Sequence, residues 1–114
     1  MQSIIFFLDV TERGQASPAD VPKSYALCQN HPNPFNAGTQ IRYSIPRGGR
    51  VSLKIFNTLG QEIRTLVDAD QKASEHSAVW DGRDASGSHV ASGLYFCRLK
   101  AAGFSETIKM VLVK

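Results

Sequence analysis

From about Ser24 onward, apolar residues recur at every second position. Ile41, Tyr43 and Ile45 alternate with Gln40, Arg42 and Ser44, and Val51, Leu53 and Ile55 alternate with Ser52, Lys54 and Phe56. Tyr95, Cys97 and Leu99 alternate with Phe96, Arg98 and Lys100, while Ala78 and Trp80 share one side of a shorter run. Phe104, Ile108, Met110 and Leu112 form the last such row, with Lys109 on the opposite side. A period of two belongs to a strand with one face in a core and one in water. Ile63, Leu66 and Val67 do not alternate cleanly, so a strand near residues 61–67 is the least regular of the set.

Turn chemistry falls between these runs. Pro46-Arg47-Gly48-Gly49 separates one pair, and Asn57-Thr58-Leu59-Gly60 the next, with Gly60 suited to a left-handed position. Asp81 to Gly87 reads as a compact loop in which aspartates accept backbone N–H bonds. Ala101-Ala102-Gly103 is the last hairpin turn. About seven short strands without an amphipathic helix predict an all-β, antiparallel sandwich.

The first 22 residues differ. Ile4 to Val10 resembles a final strand of a preceding domain, and Thr11 to Pro22 is polar, with Gly14, Pro18 and Pro22, as a linker would be. The expected division is therefore a remnant and linker at 1–22 and the sandwich at 23–114. Residues 1–8 carry no Lys or Arg and the apolar run stops at Asp9, which is not a secretory signal pattern. Either the protein is cytosolic, or the chain is the C-terminal part of a longer precursor whose signal lies upstream.

Length and composition narrow the function. The 114 residues suit one core. The five-residue run from Ile4 to Leu8 is far below the ~20 residues of a membrane-spanning helix. Net charge is +3, too weak to point to nucleic acid. It is unevenly spread: residues 1–22 hold one basic and three acidic residues, the remainder twelve and seven, net +5. Arg42, Lys54, Arg98, Lys100 and Lys109 all fall on outward positions. They read as solubilising charge or as a cationic face for an anionic partner.

Little suggests catalysis. His31, His76 and His89 lie on separate segments, with no metal-ligand spacing. Cys28 and Cys97 form no zinc motif, and their spacing leaves two free thiols or one long-loop disulfide open. Asp81 and Asp84 are three apart and lack the distal Glu of a calcium loop. No cofactor is expected and no enzyme. Phe56 and Phe96 are outward aromatics, a possible sugar- or partner-binding stripe or ordinary surface aromatics.

Three clusters occur together: Leu27-Cys28-Gln29-Asn30-His31-Pro32-Asn33-Pro34-Phe35-Asn36, then Trp80-Asp81-Gly82-Arg83-Asp84-Ala85-Ser86-Gly87 with Ser92-Gly93-Leu94-Tyr95, and last Lys109-Met110-Val111-Leu112-Val113-Lys114. Over about residues 22–114 the chain resembles the type A C-terminal sorting domain of type IX secretion substrates. It equally resembles the FlgD-type immunoglobulin-like domain. Either resemblance implies an immunoglobulin-like sandwich in which Asn30, Asn33, Pro34, Phe35, Asn36, Trp80, Asp81, Gly82, Asp84, Gly87, Gly93 and Tyr95 are structural. Within it, Asn33-Pro34 and Asn36 are expected to make a rigid turn, with Phe35 plugging the sandwich end. Gly93 is expected to permit a close backbone approach.

The sorting-domain resemblance further implies a non-catalytic signal that sends an attached upstream cargo domain across the outer membrane of Bacteroidetes-type bacteria to the cell surface. Its partners would be type IX translocon components and a sortase-like cysteine protease, with cleavage in Thr11 to Pro22. The last strand, Lys109 to Lys114, would be the segment presented to the translocon. The FlgD-type resemblance implies instead a structural, assembly or adhesive domain. A third possibility is a carbohydrate-binding accessory module using Phe56 and Phe96.

Overall fold

The computed structural model describes residues 21–114. The expected strand at residues 4–10 and nearly all of the linker lie outside the described residues. The described part holds seven strands: β1 (Ala26–Leu27), β2 (Thr39–Ile45), β3 (Gly49–Phe56), β4 (Glu62–Gln71), β5 (Ser74–Trp80), β6 (Gly93–Ala101) and β7 (Phe104–Leu112). They form two antiparallel sheets, one in the order β1-β2-β5 and one in the order β4-β3-β6-β7. The expected antiparallel sandwich is present.

The alternating rows meet in one core. Ile41, Tyr43 and Ile45 from β2 face Val51, Leu53 and Ile55 from β3, with Tyr95, Cys97 and Leu99 from β6 and Met110 and Leu112 from β7. Trp80 is fully buried, with Phe35 and Tyr95 rings at 5.6 and 5.2 Å from it. Its indole N–H would be costly to bury unpaired, and it donates to the Arg83 carbonyl at 2.9 Å.

β4 is a full strand despite its irregular sequence. Its pairing with β3 slips twice, leaving Leu66 and then Ile63 without an opposite residue. Each slip is a β-bulge, which shifts the side-chain alternation by one position. Ile63, Leu66 and Val67 therefore all pack against the core although their spacing is not two. The loops match their chemistry more directly. Gly60 has φ of 79°, and the Asn57 side chain accepts the N–H groups of Leu59 and Gln61, both at 3.0 Å.

After β1 the chain changes sheets. Cys28 and His31 still bond to β2, at Arg42 and Gln40, but Phe35 then pairs in parallel with Leu112 of β7. Residues 28–36 thus close one side of the sandwich.

Candidate functional site

β7 ends the second sheet, so one row of its backbone groups points away from β6. At 109–113 that row is already occupied by the crossing segment. The Gln29 side chain donates to the Lys109 carbonyl at 2.6 Å, and Asn33 Oδ1 accepts the Val111 N–H at 2.9 Å. Phe35 donates its N–H to the Val111 carbonyl at 3.0 Å and accepts the Val113 N–H at 2.8 Å. An added strand cannot pair here without displacing residues 29–36.

The same strand divides its side chains. Met110 and Leu112 are buried, while Lys109, Val111, Val113 and Lys114 are exposed. Leu94 lies directly opposite Val111 on β6 and is also exposed, which makes a small apolar patch beside two lysines.

The clamp rests on a buried polar knot. Asn30, only 3% exposed, donates to the Thr39 hydroxyl at 2.9 Å and to the Pro32 carbonyl at 3.1 Å. Thr39 donates to the same carbonyl at 2.8 Å, and Gln29 donates to Asn30 Oδ1 at 2.6 Å. Phe35 is 2% exposed, with its ring 5.6 Å from that of Trp80. The local turn differs from expectation. Asn33 spends its side-chain oxygen on Val111, 78 residues away, and Asn36 shows no side-chain bond among the described residues. The turn is held by the bond of Asn33 to the distant strand and by those of Asn30 and Thr39 to the Pro32 carbonyl.

The loop after Trp80 is organised by its aspartates. Asp84 Oδ1 accepts the N–H groups of Ser86 and Ser88, both at 3.0 Å, and the Ser86 hydroxyl at 2.6 Å. The Ser86 bond, then the Ser88 N–H, hold its carboxyl below the ordinary aspartate range. Asp81 Oδ1 accepts the Arg83 N–H at 3.1 Å. Gly82 and Gly87 both take positive φ, 75° and 90°.

Arg64 completes this loop. From the bulged stretch of β4 it reaches Asp81 at 3.4 Å and the Arg83 carbonyl at 3.2 Å, beside an Ala85 N–H to Ile63 carbonyl bond of 2.9 Å. Sequence reasoning missed Arg64 and Gln29. Broken alternation around 63–67 was the only local sign of the former. Gly93 also differs from expectation: a Cβ there would meet nothing within 4 Å, so no close approach demands it, and φ of 150° is what favours glycine. Tyr95 follows, with its hydroxyl donating to the Ala91 carbonyl at 2.5 Å.

Residues 37–103, more than half of the chain, match the sequence profile of the FlgD Ig-like domain. The chain belongs to that family. The FlgD Ig-like sandwich also superposes on part of dimeric latent PorU from Porphyromonas gingivalis, with a TM-score of 0.60 and 19% identity. That match covers 93% of this chain and 10% of PorU. FlgD from P. aeruginosa matches with a TM-score of 0.48 and 20% identity, over 66% of this chain and 59% of that one. The PorU likeness establishes the fold. No curated protein matches the sequence.

This FlgD Ig-like domain brings no catalytic constellation together among its described residues. His31 and His89 are exposed in separate loops, and His76 stacks on Tyr43 at 5.5 Å. Among the described residues no group of three His, Cys, Asp or Glu side chains is placed to hold a metal ion. The open question of the thiols is resolved: Cys28 is exposed, Cys97 is buried, and both are free. Burial pushes the Cys97 thiol up to about 12. No helix among the described residues is long and apolar enough to cross a membrane.

Proposed function

We propose that residues 23–114 are a non-catalytic sorting module, preceded by a remnant and linker at 1–22. It directs an upstream cargo through the type IX secretion machinery to the outer-membrane surface. The observation that carries this reading is the clamped last strand. Gln29, Asn33 and Phe35 hold residues 109–113 in one conformation, with Lys109, Val111, Val113 and Lys114 outward beside Leu94. A rigid strand of this kind is a surface that a receptor reads by side chain.

The motif combination described above supports the type IX assignment. The fold likeness to PorU supports the modular part, because a domain of this shape occupies a tenth of that chain. Translocon components are the proposed readers and a sortase-like protease the proposed processor, cutting in Thr11 to Pro22.

The test is a reporter carrying residues 1–114 at its C-terminus, expressed in a bacterium with the type IX machinery. Deletion of Lys109 to Lys114 should hold the reporter in the periplasm. The double variant Lys109→Ser, Val111→Ser should do the same while the sandwich stays folded by circular dichroism. Undiminished surface delivery by both variants overturns the reading. It would leave the structural or assembly role that the FlgD-type resemblance implies.

A further inference from the structure

The outward cations are not evenly spread over the two sheets. Arg42 lies on the first sheet, paired with Glu75 at 3.4 Å. The other four stand on the second sheet, and the acidic residues of that face are confined to β4. There Glu62 pairs with Lys54 at 3.2 Å and Asp68 with Arg50 at 2.9 Å. Beyond them, on β6 and β7, Arg98, Lys100 and Lys109 take part in no ion pair among the described residues. The face thus grades from neutralised to cationic.

Arg98 is held in place. Its guanidinium sits 4.4 Å over the Phe56 ring, a stacking that fixes the group. Thr107 lies opposite it on β7, and Phe96 adjoins Phe56 across the strands. Together these line a shallow hollow of about 230 Å³ at the Asn57–Gly60 turn. A second hollow of about 390 Å³ lies further along β6, lined by Lys100, Ser52 and Ser105. Side chains at Arg98 and Lys100 point to the same face, two residues or roughly 7 Å apart.

We propose that this face binds an acidic polysaccharide, laid along β6 with carboxylate groups on Arg98 and Lys100 and a sugar ring against Phe96. Two hollows in line, each with an unpaired cation, fit a chain bearing repeated anions rather than a single ion. Hydroxyls at Thr107, Ser52 and Ser105 suit a hydroxylated ligand. Three unpaired cations are few for a nucleic-acid backbone. The site shares the outward face of β6 and β7 with the clamped strand, Lys109 lying opposite Phe96, but rests on Arg98 and Lys100, which the sorting role does not use.

The test is affinity electrophoresis of the full chain through gels containing polygalacturonate, dextran or oligothymidylate. Retardation is expected in polygalacturonate alone, weakening between about 0.05 and about 0.5 M salt. Arg98→Gln should weaken it about tenfold and Lys100→Gln about threefold, whereas Arg42→Gln should not change it. Thermal melting checks that each variant is folded, and Lys100→Gln carries the test if Arg98→Gln is not. No retardation in polygalacturonate, equal retardation in oligothymidylate, or equal weakening by Arg42→Gln overturns the proposal.

Discussion

Phe35 runs parallel to Leu112, and this bridge joins the bonds made by Gln29 and Asn33 in holding the last strand against the beginning of the sandwich. The Phe35 and Leu112 side chains are both 2% exposed, so the backbone bridge and the core contact reinforce each other. Phe35→Ala should cost about 3–5 kcal/mol, as large-to-small changes at buried aromatics do. Asn33→Ala removes only the bond to the Val111 N–H and should cost about 1 kcal/mol. Denaturant melts measure both, and amide exchange should show faster exchange at Val111 in Asn33→Ala.

Trp80 combines complete burial with a satisfied indole N–H. Trp80→Phe keeps most of the ring but removes the shorter of two bonds to the Arg83 carbonyl, leaving the one from Arg64. It should cost about 2 kcal/mol, less than Trp80→Ala at about 3–5. Equal destabilisation by the two would show that the ring area kept by phenylalanine contributes nothing.

The two thiols should differ sharply in reactivity. Cys28 is exposed, whereas Cys97 is buried with its thiol pushed to about 12. Iodoacetamide at pH 8 should add one group to the native protein, at Cys28, and two after denaturation. Peptide mass mapping reads this directly.

Asp84 gives the stability a limb at low pH. Its carboxyl is held below the ordinary range chiefly by Ser86 and Ser88, so the folded state binds its proton less readily than the unfolded chain. The resulting stability is present above about pH 4 and is lost as pH falls through the lowered value. Asp84→Asn should melt lower than the parent at neutral pH, and the gap should narrow on acidification. Melting curves from pH 7 to pH 2 test it.

Ala102 is the one described residue other than glycine with positive φ, 47°, followed by Gly103 at 85°. Two successive left-handed positions make the tight turn that suits a two-residue hairpin, where asparagine is favoured and alanine is not. Ala102→Asn should stabilise the protein by about 0.5–1 kcal/mol, measured as a raised melting temperature.

What the sequence revealed depended on how local the cause was. β2, β3 and β6 were plain because each buries one face and so imposes strict alternation on its residues. β4 was blurred because bulges at Leu66 and Ile63 move the buried side chain by one position each. The Trp80 to Gly87 loop was readable, since its aspartates bond within four residues. The mating of Asn33 with Val111 was not, because nothing near Asn33 encodes a partner 78 residues away. The outward cations were visible as outward, but only the sheet order separates Arg42 from Arg98, Lys100 and Lys109.

The bridge from residue 35 to residue 112 also bears on synthesis. Contacts this far apart in sequence form late and slowly, because the intervening chain must first be closed into a loop. While a ribosome still holds residues 109–113, Phe35 and Trp80 lack the strand that completes their pocket. The nascent sandwich therefore stays open to chaperones until residues 109–113 have been made, and a chain stopped before them would be left without its seal.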